Sequence, residues 1–164
     1  MEQLDTLSNQ ISFATDGSQY LTFRLAQEEY GVEILKVQEI KGYSAITPIP
    51  NTPAYLKGVM NLRGTIVPVV DLRAKFAMAQ ADYNQFTVII VLTVGTKVMG
   101  LIVDAVSDVL NIPKADVQPT PDFGAQVDAR FINGMAKAGD KLVVLLDIDR
   151  VLGGVDPAAL AGTN

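Results

Sequence analysis

Asn61-Leu62-Arg63-Gly64-Thr65-Ile66-Val67-Pro68-Val69-Val70-Asp71-Leu72-Arg73 is the stretch on which the fold turns. Apolar residues crowd both sides of Arg63-Gly64-Thr65, so Gly58 to Leu62 and Ile66 to Val70 read as the strands of a hairpin. Gly64 supplies the positive φ that a tight turn requires. Arg63 beside it is expected to project into solvent, a guanidinium mounted at the hairpin tip. Alone it would be an ordinary surface charge; on a turn between apolar strands it is also a candidate interface residue, because Arg is enriched at binding hot spots. Pro68 cannot donate a ladder hydrogen bond, which predicts an edge or bulged strand. Asp71 reads as the cap of a short helix from Leu72 to Phe76.

Towards the amino terminus, Thr52 and Pro53 look like the cap and first position of another short helix, ended by Gly58. Pro48, Pro50 and Pro53 stiffen the loop before it. Ile34 to Ile40 predicts one helical turn followed by a strand on which Val37 and Glu39 share a face. Such a face suits a partner of mixed polarity, and equally a half-buried strand with a solvated Glu. Tyr30-Gly31-Val32 starts a strand after the turn at Gln27-Glu28-Glu29, and Leu21, Phe23 and Leu25 alternate as in a half-buried strand. Residues 1–18 and 155–164 read as tails. Ala77 to Gln85 is a polar connector dividing the chain roughly in half.

The second half repeats the first. Tyr30-Gly31-Val32 lies over Met99-Gly100-Leu101, and running on without gaps matches Val37 to Val106, Glu39 to Asp108 and Ile40 to Val109. Placing Gly58 over Gly134 brings Ile66-Val67 onto Leu142-Val143 and Asp71-Leu72 onto Asp147-Ile148. A duplicated unit of about five short strands favours a closed or nearly closed barrel, which hides its edges. Two such units, about 19–85 and 86–152 with strand exchange possible, would each be marginal alone. They are expected to share a wall, with a groove between them as the natural binding place.

Composition narrows the function classes. The chain has 164 residues, no Cys and no His, so disulfides, thiolate metal sites and the commonest general base are excluded. Net charge is −5 and the sequence pI about 4.6, which argues against a nucleic-acid partner. The longest apolar run, Val88 to Leu92, is too short to cross a bilayer, and the start lacks a secretory pattern, so a cytoplasmic location without membrane insertion is expected. Asp71 and Asp147 are explained as helix caps, and Asp104 and Asp108 as residues flanking a strand boundary. No catalytic group, cofactor or phosphate-cradling loop is expected. Pattern alone thus ends at a duplicated β-barrel protein that binds something.

Several long runs resemble the CheW family. They are Glu28 to Ile40, Ile49 to Val59, Asn61 to Gly64, Pro68 to Arg73, Val98 to Asp104 and Val106 to Leu110. The resemblance implies a mainly β fold of two intertwined five-stranded SH3-like barrels with a few short helices. It implies an adaptor, a monomer when free, that couples methyl-accepting chemoreceptor tips to the regulatory domain of the histidine kinase CheA within membrane-associated arrays. Val37, Glu39, Arg63, Val88, Gly100 and Val106 match positions of the receptor contact, which the resemblance puts in the groove between barrels. Gly58 and Asn61, with neighbouring edge strands, would serve the kinase. The alternative from another class is a small-ligand-binding barrel; a carboxylate hydrolase using Asp71 or Asp147 is a third.

Overall fold

The duplicated pattern becomes two five-stranded sheets built to one plan. A computed structural model describes residues 17–80, 82–119 and 129–153; residues 1–16 and 155–164 of the expected tails lie outside the described residues, while Gly17 and Ser18, expected in the first tail, open a strand. The first repeat runs β1 (Gly17–Leu25), β2 (Glu28–Glu33), a 3-10 turn (Ile34–Lys36), β3 (Val37–Gly42), β4 (Leu56–Leu62), β5 (Thr65–Asp71) and helix α1 (Leu72–Lys75). The second runs β6 (Val88–Val94), β7 (Lys97–Val103), β8 (Ala105–Pro113), 3-10 turns at Lys114–Asp116 and Ala129–Phe131, β9 (Ile132–Ala138), β10 (Lys141–Leu146) and helix α2 (Ile148–Gly153).

The sheet orders are β8-β1-β2-β10-β9 and β3-β6-β7-β5-β4. Under the repeat alignment these are one order with the halves interchanged. Each sheet takes the opening hairpin of one repeat and the last three strands of the other. The boundary near residue 85 therefore divides the repeat and not the sheets. Equivalent parallel seams close the exchange: Val69 stands opposite Gly100 between β5 and β7, and Leu145 opposite Gly31 between β10 and β2. Both glycines admit close neighbours there. A Cβ on Gly100 would stand 2.9 Å from Ile89 Cγ2, and one on Gly31 3.1 Å from Leu145 Cδ2.

Three apolar clusters follow from the period-2 pattern. Met60, Leu62, Val67, Val69, Ile89, Val91 and Ile102 fill the inside of one sheet, and Tyr20, Ile112, Ala136, Val143 and Leu145 that of the other. The largest cluster, including Phe23, Leu25, Val32, Val70, Leu72, Leu92, Met99 and Leu101, lies between the sheets. A strand serving two clusters is apolar on both faces, so β1 is not half-buried as its alternation suggested. Tyr20 and Leu21 are both buried, as is Thr22, whose Oγ1 donates to the Asp108 carbonyl at 3.1 Å and accepts its N–H at 3.0 Å.

Several local expectations are corrected. The segment from Thr52 to Gly58 is not helical: Thr52 Oγ1 donates to the Ile49 carbonyl at 3.0 Å, and Leu56 already opens β4. Leu56 is buried in the inter-sheet core, which outweighs the capping signal of Thr52-Pro53. Pro68 does not mark an edge, since β5 lies between β7 and β4; it is tolerated because pairing with β7 begins only at Val69. Val37 and Glu39 do not share a face. Val37 opposes Leu92 and Glu39 opposes Val91, so Gln38 is a bulge between them. Ser107 is the same bulge in the second repeat, between Val106 opposite Phe23 and Asp108 opposite Thr22.

Candidate functional site

The β4–β5 hairpin tip carries the most constrained exposed side chain. Leu62 and Thr65 are its last paired residues, leaving a two-residue loop, Arg63-Gly64. Both have positive φ, 51° and 87°, the pattern of a type I′ turn whose twist matches the strands. Asn61 Oδ1 accepts the Gly64 N–H at 2.7 Å and pins the turn. For Arg this conformation is strained by about 1 kcal/mol. At the matching tip of the β9–β10 hairpin stands Gly139, with φ 64°, which takes a positive φ at that position without strain.

From this tip the guanidinium reaches β3. Arg63 Nη2 donates to Glu39 Oε2 at 2.7 Å and Nη1 to Oε1 at 3.3 Å, a two-point contact. The bond from Arg63 holds the Glu39 carboxyl below its ordinary range. The Arg63 side chain nevertheless stays 73% exposed. Ile66, opposite Asn61 on the same hairpin, is 63% exposed. A charged fork and its carboxylate partner thus stand at the hairpin tip, and an exposed apolar side chain lies three residues along on β5. Neither the Arg63 strain nor the exposure of Ile66 was foreseen; the adjacency of Ile66 to the turn was the available signal.

The remaining nominated residues are placed differently. Val37, Val88 and Val106 are half-buried and pack onto the inter-sheet core. Val37 and Val106 are equivalents, each one residue before a bulge. Gly100 is buried inside β7 and offers a partner no surface; its place is explained by the seam with β5. Gly58 is also buried: it adopts φ +147° and lies under the Thr47–Pro48 backbone, where a Cβ would stand 2.0 Å from the Thr47 carbonyl oxygen. As contact residues these two glycines do not fit. Asn61 is exposed, but it belongs to the hairpin that presents Arg63.

The expected groove is largely closed by the inter-sheet core. At its rim a cleft of about 350 Å³ opens between the β1–β2 turn and the connector, lined by Arg24, Asp71, Arg73, Tyr83, Asn84 and Asp104 among others. Three of its charged side chains, Asp71, Arg73 and Asp104, are engaged. Arg73 Nε and Nη2 bind Asp104 Oδ1 and Oδ2 at 2.8 and 2.5 Å, and Asp104 Oδ2 also accepts the Ala26 N–H at 2.9 Å. Burial pushes the Asp104 carboxyl up, but these bonds and the Arg73 charge outweigh it and hold the group below its ordinary value. Asp71 caps α1 through Ala74 N–H and accepts the Tyr83 hydroxyl at 2.6 Å. Asp147 accepts the Arg150 N–H at 3.2 Å at the start of α2. Asp104 stands at the β7–β8 junction, while Asp108 lies within β8 and does not flank a boundary. Among the described residues each sheet interior holds a cluster of apolar side chains, and a second cleft of about 540 Å³ lies against β9 and β10, lined by Ala115, Pro119, Met135, Ala136 and Leu142 among others.

Comparison with known proteins agrees over nearly the whole chain. The CheW-like domain family matches residues 19–155. A chemotaxis protein CheW of Klebsiella aerogenes is 45% identical over 152 residues, covering 93% of this chain and 91% of that protein. One of Rhizobium meliloti is 40% identical over 135 residues, covering 82% and 87%. The crystal structure of the scaffolding protein TtCheW from Thermoanaerobacter tengcongensis superposes with a TM-score of 0.77 at 34% identity, over 83% of this chain and 88% of that one.

Proposed function

Because the chain belongs to the CheW family of chemotaxis scaffolding proteins, we propose that it joins chemoreceptor tips and the kinase CheA on two surfaces of one rigid body. It acts by binding and not by turnover. Holding both partners raises their effective concentration for one another. Receptor state alters the kinase to the extent that contacts on this body differ in strength between signalling states. Its place is the cytoplasmic side of the membrane, recruited to receptor arrays; among the described residues no helix is long and apolar enough to cross a bilayer.

One observation carries the receptor surface: Arg63 occupies a strained position that its duplicate, Gly139, fills without strain. A turn needs only Gly or Asn there, so the guanidinium serves something other than the turn. The fork bound to Glu39 offers a preorganised polar hot spot at an exposed hairpin tip. Val37, Val88 and Val106 act from the inter-sheet core, where they fix how the strands that carry the surface are packed, and Gly100 sets the backbone spacing of the seam. The kinase contact uses the β4 edge around Asn61, positioned by Gly58.

Arg63→Gly separates the two roles. Relief of backbone strain offsets the lost exposed ion pair, so the melting temperature is expected to stay within a few degrees of the parent. Co-sedimentation with receptor-bearing membranes is expected to weaken by about tenfold or more, as for a hot-spot Arg, while CheA binding persists. Unchanged receptor pelleting with a lowered melting temperature would make Arg63 structural and remove it from the interface.

A further inference from the structure

We infer that a second copy of this chain is a competent partner through the surfaces that join the two repeats, giving an exchanged dimer of two complete modules. The pairing pattern carries the inference. Within a repeat the described strands pair only as hairpins: β1 with β2, β4 with β5, β6 with β7 and β9 with β10. The four seams that complete the sheets, β1 with β8, β2 with β10, β3 with β6 and β5 with β7, all run between repeats. The inter-sheet core likewise draws Phe23 and Val70 from one repeat, and Leu101 and Leu146 from the other.

Each repeat is therefore a half whose complement is the other half, and only the connector decides whether that complement is on the same chain. First repeat of one copy and second repeat of another can make every seam and core contact of the single chain. The connector is held at both ends: Met78 packs on the inter-sheet core and the Tyr83 hydroxyl donates to Asp71 at 2.6 Å. Shortening it between these anchors obstructs closure within one chain and leaves closure between two chains open, the known route to swapped dimers. Such a dimer would carry each partner-binding surface twice.

The test deletes residues 79–82 and measures mass by light scattering together with far-UV circular dichroism. A doubled mass with the parent spectrum is expected; a folded monomer would overturn the inference. If the deletion chain precipitates, the intact connector decides, because the chain has no Cys of its own. Arg24 and Ala105 are opposed across the β1–β8 seam. An Arg24→Cys chain and an Ala105→Cys chain are unfolded together, refolded at rising protein concentration and oxidised. A disulfide-linked pair that grows with concentration and exceeds that of Arg24→Cys with Lys137→Cys supports the exchange. No excess over that control, with both chains refolded, refutes it.

Discussion

Gly58→Ala is expected to cost more than about 4 kcal/mol and lower the melting temperature by roughly 10 °C or more. The added Cβ meets backbone: 2.0 Å to the Thr47 carbonyl oxygen, 2.7 Å to its carbon and 2.9 Å to Pro48 Cα. Thr47 cannot withdraw cheaply, because its N–H and carbonyl exchange hydrogen bonds of 2.8 and 2.9 Å with Val59. The φ of +147° adds strain for any side chain. Gly134→Ala, the matching position, meets Val117 Cγ1 at 2.6 Å and the Gln118 carbonyl oxygen at 2.8 Å; a side chain yields more readily, so a smaller loss is expected. Gly42, with nothing within 4 Å of a Cβ, is the control. Thermal melts of the three variants check the order. Near-equal melting of Gly58→Ala and Gly42→Ala would show that the Thr47 segment moves freely and would return Gly58 to the list of contact residues.

Asp104→Ala is expected to destabilise by about 3 kcal/mol, because it leaves Arg73 unpaired in a half-buried site and removes the acceptor of the Ala26 N–H. One carboxylate there ties two segments, α1 through Arg73 and the β1–β2 turn through Ala26, while the Asp104 backbone N–H separately donates to the Arg24 carbonyl at 3.1 Å. The pH dependence follows from the direction of its shift. The folded carboxyl is held below its ordinary value of 3.8, so the unfolded chain takes up the proton first as pH falls. The unfolded state then binds more protons, and stability falls with falling pH. The pair contributes fully above the ordinary value and is lost as pH drops through the lowered folded one. Melting curves between about pH 6 and pH 2 are expected to show a shallower acid slope for Asp104→Asn than for the parent. Parallel slopes would mean that the pair contributes nothing to folding.

The duplication was legible because it rests on residue order: Gly31 over Gly100 and Gly58 over Gly134 need no knowledge of partners, and the structure gives each pair one task, close side-chain packing on the first and close approach of another backbone segment on the second. The hairpin around Gly64 was legible for the same local reason. The exchange was not, since a strand's period fixes which face is buried and says nothing about which strand lies beside it. Bulges defeated the face assignment of Val37 and Glu39, because one extra residue at Gln38 inverts the alternation and only the opposing strand reveals it. Thr52-Pro53 carried a true local helix signal that the burial of Leu56 overrode. At the site, sequence placed Arg63 on a turn, but its left-handed backbone and its bond to Glu39 depend on a turn type and on a strand two dozen residues earlier.

The parallel seam between β2 and β10 has a consequence for how the protein is made. Glu29 pairs with Val143, so the first hairpin leaves the ribosome with its neighbour strand more than a hundred residues from synthesis. At about 5–20 residues per second that interval is on the order of ten seconds. During its first part, before α1, β6 and β7 are made, Leu21, Phe23 and Leu25 have no inter-sheet core to enter. Loop closure on this scale makes folding slow relative to helical proteins of similar length. The nascent amino-terminal hairpin thus leaves apolar side chains uncovered during translation, the condition under which unpaired strands aggregate.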